Sequence, residues 1–121
     1  EEAVRAGGAK GVMTSYNRLN GVYTPNSHDL CTKVLRQEWG FDGVVMTDWS
    51  STRKGQAGAA AALRAGNDLM MPGSGGDRRD ILQALRSGML TEEELRRCCG
   101  NVIRAILDSA VQRDYIDDYQ N

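Results

Sequence analysis

This chain has one histidine, three cysteines, no surplus of basic residues and no long apolar run, and each scarcity removes a function. Its 15 basic and 16 acidic residues leave a formal charge of −1. No basic stripe is available to neutralise phosphates, so nucleic acid is not an expected partner. No apolar stretch is long enough to span a bilayer and no signal peptide is visible, so no membrane partner is expected. Cys31, Cys98 and Cys99 lack metal-ligand spacing, and vicinal cysteines seldom bridge each other. Reduced, buried thiols and a reducing, cytoplasmic setting are the expectation, with no metal or other cofactor. His28 has no base or ligand partner nearby in sequence and reads as a surface residue at a helix start. The chain opens on Glu1 instead of Met, within a stretch that reads as helix, and so reads as cut from something longer.

What is present alternates between two periods. Apolar, β-branched runs at about 11–16, 43–48 and 67–71 read as strands. A helix is expected from about His28 to Trp39, with Ser27 as N-cap and Leu30, Val34 and Leu35 on its apolar face. An alanine-rich helix from about Arg53 to Ala65 follows, interrupted by Gly55 and Gly58. Asp77 opens a third helix that Gly88 ends. Thr91 and Glu94 carry the capping-box signature of a fourth. That last helix places Leu95, Cys98, Val102, Ile103, Ile106 and Leu107 on one stripe, expected to face a core. Glu92, Glu93 and Glu94 suit its N-terminus. Asn17, Asn20 and Gly21 read as a turn. The polar tail from Gln112 to Asn121 has lost helical periodicity and reads as the start of a linker.

Such alternation belongs to an α/β fold with parallel strands and right-handed crossovers. Three βα units plus a long C-terminal helix amount to a fragment of a TIM-like (β/α)8 barrel, which closes with eight strands. Parallel strands need cover on both faces. A chain this short is therefore expected to expose strand edges and to self-associate, unless a larger protein covers them.

The segment Gly43-Val44-Val45-Met46-Thr47-Asp48-Trp49 says most about function. A buried strand ends there in a carboxylate and an aromatic ring, and ligands of α/β folds bind at C-terminal strand ends. Asp48 could equally cap a following helix. Trp49 and Met13, taken alone, are ordinary core residues, and Tyr16 could bond only to backbone. Asp68 ends no strand and reads as structural. A different class is open too. Gly73-Ser74-Gly75-Gly76 lies between a strand and a helix, as in phosphate-binding barrel lyases and isomerases, although Arg78 breaks the dinucleotide pattern. A non-catalytic module that pairs with another chain is the third reading.

Four segments in order weigh against these alternatives. They are Met13-Thr14-Ser15-Tyr16-Asn17-Arg18-Leu19-Asn20-Gly21, Leu35 to Gly43, Thr47-Asp48-Trp49, and Ala65-Gly66-Asn67-Asp68-Leu69-Met70-Met71-Pro72-Gly73. Together they resemble glycoside hydrolase family 3, the β-glucosidases and their relatives. The resemblance implies that residues 1–110 are the C-terminal portion of the family's catalytic barrel and that 111–121 begin an interdomain linker. It implies a retaining β-glycosidase acting on a β-glucoside or related carbohydrate, with Asp48 as the nucleophile that forms a covalent glycosyl-enzyme. It places Met13, Tyr16 and Trp49 around the sugar, Tyr16 beside the nucleophile as a polar donor and Trp49 as a wall. The general acid/base would come from a second domain, and further sugar contacts from the rest of the barrel. The chain alone is accordingly expected to be inactive. Thr47 stands where the family commonly has Ser.

Overall fold

The computed structural model describes residues 1–53 and 55–109, so the expected linker lies outside the described residues. The elements run α1 (Glu2–Arg5), β1 (Gly11–Thr14), the short strands β2 (Arg18–Leu19) and β3 (Val22–Tyr23), a wide helix (Asp29–Glu38), β4 (Val44–Thr47), α2 (Ala59–Ala65), α3 (Gly75–Ser87) and α4 (Glu92–Leu107). β1 and β4 pair in parallel, Gly11 with Val44 through Thr14 with Thr47, and the wide helix is their crossover. This is the expected α/β arrangement of a partial barrel.

The apolar pattern decides which face is covered. Val45 is fully buried and clusters with Leu35 and Phe41, while Val12 packs against the same group. A second core joins Ala60, Leu63, Ala84, Leu90 and Cys98 beneath α2, α3 and α4. Side chains alternate across a strand, so Met13 and Met46, partners in the register, lie on the opposite face to Val12 and Val45. Met13 is 56% exposed there: none of the described residues covers it fully.

Several expectations need correction. The third strand is reduced to a single parallel bridge, Met46 with Leu69, because the buried Asp68 carboxylate, not a backbone carbonyl, takes the Val45 N–H. The alanine-rich helix starts only at Ala59. Ser50 adopts a left-handed conformation (φ 63°) and Gly55 another (φ 85°), which unwinds the segment before it. α3 begins two residues before Asp77, capped by Ser74. The crossover helix spans the expected residues but is widened, with Trp39 N–H donating to Val34 at 2.9 Å. The stripe on α4 is only partly buried, since Leu95 and Cys98 pack inward while Ile103, Ile106 and Leu107 stand exposed. Cys99 is exposed, unlike Cys31 and Cys98, and all three thiols are free. A β2–β3 hairpin had no expected counterpart; its turn is the Asn20-Gly21 pair, with φ of 50° and 82°.

Other local readings agree with the structure. Thr91 accepts from Glu94 N–H at 3.1 Å while Glu94 accepts from Thr91 N–H at 2.8 Å, the reciprocal capping box. Leu30 N–H donates to Ser27 Oγ at 3.3 Å, so Ser27 does serve the crossover helix, and His28 is exposed. Among the described residues no helix is long and apolar enough to cross a membrane.

Gly43 is where the backbone leaves no room. A Cβ there would overlap the carbonyl of Lys10, which accepts from Val44 N–H to open the β1–β4 pairing. Gly43→Ala is expected to destabilise the fold by at least the roughly 1–3 kcal/mol typical of overpacking. Thermal unfolding followed by circular dichroism checks this, and an unchanged midpoint would mean that the Lys10 segment can yield.

Candidate active site at the end of strand β4

The end of β4 is held from both sides. Asp48 N–H donates to Thr14 of β1 at 3.1 Å, and Thr47 N–H donates to Leu69 at 2.9 Å on the other side. Thr47 Oγ1 accepts from Met71 N–H at 3.0 Å, and Ser50 N–H donates to Met71 at 2.8 Å. The carboxylate is thus carried on a backbone whose flanking residues are all engaged. By alternation it shares the uncovered face of Met13 and Met46.

Asp48 does not cap a helix, because α2 begins eleven residues later. Its Oδ1 instead accepts from the next backbone N–H, that of Trp49, at 2.6 Å. That bond orients the carboxylate outward from the strand end. Trp49 is 61% exposed and Tyr16 51%, so neither is a core residue within this chain.

Tyr16 reaches the site through a pinned turn. Thr24, itself buried, accepts from Ser15 N–H at 3.1 Å and donates to the Ser15 carbonyl at 2.6 Å. Thr14 Oγ1 donates to Asn67 Oδ1 at 3.0 Å, and Asn67 Nδ2 donates to Pro25 at 2.6 Å and Ala62 at 3.1 Å. The Tyr16 hydroxyl then donates to the Trp49 carbonyl at 2.7 Å, across 33 residues of sequence. This modifies the expectation of a bond aimed at Asp48: the donated bond goes to the adjacent backbone. The Asp48 carboxylate is still felt. The phenol is raised above the ordinary tyrosine value, first by desolvation, then by its interaction with Asp48 and that group's charge, with Arg53 opposing. Tyr16 therefore stays a neutral donor across the ordinary pH range.

Of the four residues expected at the site, Asp48, Tyr16 and Trp49 converge, while Met13 sits further back on the same face and borders an apolar groove with Leu30, Val34 and Trp39. Sequence reasoning missed Arg53, whose charge reaches Tyr16, and the pinning pair Thr24 and Asn67. Asn67 was signalled only as a polar residue inside an apolar run. A cavity of about 430 Å³ opens beside the loop after β4, lined by Thr52, Arg53, Gln56, Ser74, Asp77 and Asp80, but it does not include Asp48. Among the described residues no group of three or more His, Cys, Asp or Glu could hold a metal. The N-terminus of α3 already has its own anion, since Ser74 Oγ accepts from Asp77 N–H at 3.1 Å and donates to the Asp77 carboxylate at 2.6 Å. A bound phosphate would meet that carboxylate.

The family model described as "Glycosyl hydrolase family 3 N terminal domain" matches residues 1–105. The chain belongs to glycosyl hydrolase family 3. A β-glucosidase of Rhizobium radiobacter is 47% identical over 104 residues, 85% of this chain and 12% of that enzyme. An exo-α-(1→6)-L-arabinopyranosidase of Bifidobacterium longum is 40% identical over 109 residues, 90% of this chain and 14% of that enzyme. The structure of β-glucosidase 3B from Thermotoga neapolitana, in complex with α-D-glucose, superposes with a TM-score of 0.81 at 35% identity, covering 93% of this chain and 16% of that one. The family 3 chain thus spans well under a fifth of the length of these relatives.

One titration tests the coupling at the site. Asp48→Asn removes the charge that helps raise the Tyr16 phenol, so its ionisation is expected to move downward. Ultraviolet difference titration, with Tyr16→Phe identifying the signal, reads this directly. An unmoved phenol would mean that desolvation alone sets its pKa.

Proposed function

We propose that this chain supplies the nucleophile half of a retaining β-glycosidase that hydrolyses terminal β-linked glycosyl residues. One observation carries the reading: in a chain of family 3, the carboxylate of Asp48 stands at the C-terminal end of a parallel strand, oriented by Trp49 N–H at 2.6 Å and overlooked by Tyr16. C-terminal strand ends are where barrel enzymes place their chemistry.

Asp48 attacks the anomeric carbon of the sugar, and the glycosidic C–O bond breaks. The leaving oxygen takes its proton from an acid outside this chain, giving a glycosyl ester on Asp48. Water, deprotonated by the same outside group, then attacks that carbon and releases Asp48 as carboxylate. Retaining pairs stand about 5 Å apart, and no carboxylate of the described residues is assigned as the partner. Tyr16, held neutral, tightens the loop carrying Trp49, and the exposed ring of Trp49 offers its flat face to the C–H face of the sugar. Met13 lines the same uncovered face.

The remaining barrel strands would cover the Met13 and Met46 face, and a second domain would bring the acid/base. The small share of each relative that the chain matches supports this division. The isolated chain is then inactive, even toward activated aryl glycosides that need little acid help.

In the intact enzyme, Asp48→Ala is expected to lose nearly all turnover while keeping its fold. A 2-deoxy-2-fluoro glycosyl inactivator is expected to label Asp48 in the wild type, as read by peptide mass mapping. Label on another carboxylate, or turnover by the isolated chain that vanishes in Asp48→Ala, would overturn the assignment.

A further inference from the structure

A buried polar cluster lies away from the surface, three residues back along β4 from Asp48. The Asp68 side chain is fully buried and makes an ion pair with Arg36 at 2.6 Å. Its Oδ2 also accepts from Val45 N–H at 2.8 Å, and its Oδ1 accepts from Asn101 Nδ2 at 2.8 Å. Arg36 donates further to the Gly43 carbonyl at 3.1 Å and the Gly66 carbonyl at 3.2 Å. One carboxylate and one guanidinium therefore join the crossover helix, both residues that flank the start of β4, the exit of α2 and the middle of α4.

Placement along the strand gives this cluster its meaning. In a parallel ladder the N–H groups of one strand alternate between its two neighbours. On one side of β4, Val44 and Asp48 donate to Lys10 and Thr14. On the other, Thr47 donates to the Leu69 carbonyl, but Val45 meets the Asp68 carboxylate where a strand carbonyl would stand. Asp68 thus supplies one rung from its side chain and, together with its own N–H and that of Leu69 donating to the Val45 carbonyl at 2.7 and 3.2 Å, holds the register of residues 68–71 against β4. Those residues then grip Thr47 through Met71 N–H and Ser50 through the Met71 carbonyl. Thr47 and Ser50 flank Asp48 and Trp49.

We infer that the Arg36–Asp68 pair is a positioning device for the nucleophile: it fixes the 68–71 segment that clamps both sides of Asp48. This rests on Asp48 being the nucleophile, as proposed above. The Asp68 side chain is buried and that of Arg36 largely so, and they act through the backbone groups of Gly43, Val45 and Gly66. A purely stabilising pair would change how much enzyme is folded, whereas a positioning pair changes how fast each folded molecule reacts.

The test uses the intact enzyme with an activated aryl glycoside and the 2-fluoro glycosyl inactivator as probes. In the folded fraction of Asp68→Asn, kcat and the rate of covalent labelling are expected to fall about 10²-fold, the effect of misplacing a reacting group by an ångström. KM and inactivator binding are expected to stay within about threefold, because ground-state binding is made elsewhere. Should Asp68→Asn fail to fold, Thr47→Val decides. It keeps both buried charges paired and deletes only the acceptor of Met71 N–H, and a labelling rate lowered about tenfold is expected from one lost hydrogen bond. Wild-type kcat and labelling rates per folded molecule in these variants would overturn the inference and leave the nucleophile assignment intact. Wild-type label at a residue other than Asp48 would overturn both.

Discussion

The amide hydrogens of β4 are divided between two neighbours, and the geometry of the site follows from that division. Val44 and Asp48 face β1, while Val45 and Thr47 face the 68–71 segment. A strand bonded on one side only could twist or slide, and its terminal carboxylate would move with it. Bonded on both, it delivers Asp48 at a fixed height on the barrel's C-terminal rim. The crossover helix contributes through Arg36, α4 through Asn101, and β1 through Thr14. Elements far apart in sequence thus converge on four residues of backbone.

The construction also explains an uneven distribution of burial. The helix-covered face of the sheet is packed around Val45, Leu35 and Phe41, yet Met13 on the opposite face, and Tyr16 and Trp49 in the loops beyond the strand ends, stay half or more exposed. Exposed Ile103, Ile106 and Leu107 repeat the pattern on α4. These are the surfaces a parallel barrel normally covers on completion. Burying charged Asp68 is costly by itself, and removal of one partner from such a pair typically costs about 3–5 kcal/mol. Three donors on one carboxylate offset that cost.

Much of this was legible in the chain. The alternation of periods pointed to α/β units, and the run from Gly43 to Trp49 marked both the central strand and its carboxylate. The Thr91–Glu94 box and the Asn20-Gly21 turn followed from local chemistry that tertiary context did not override. Other features depend on contacts that a linear reading cannot see. The run at 67–71 has the composition of a strand, but its rungs are partly side chain. Asp68 reads as structural in the sequence, which carries no sign that its partners are Arg36, Asn101 and a strand amide. The helix expected from Arg53 was shortened because Ser50, an unremarkable residue for such a role, takes a left-handed conformation to meet Met71. The resemblance places Tyr16 beside Asp48; in the structure its hydroxyl donates to the neighbouring Trp49 carbonyl, with the Asp48 carboxylate close enough to raise the phenol.

The central claim is that Asp48 attacks the anomeric carbon from the end of β4, and the most direct measurement is azide rescue of Asp48→Ala in the intact enzyme. Truncation opens space where the carboxylate stood, and azide entering there attacks the carbon from the same face in a single displacement. The account predicts that azide restores consumption of an activated β-aryl glycoside and that the product, read by proton magnetic resonance, is the α-glycosyl azide. A β-glycosyl azide, or no rescue by azide in a folded variant that still turns over at the wild-type rate, would contradict it.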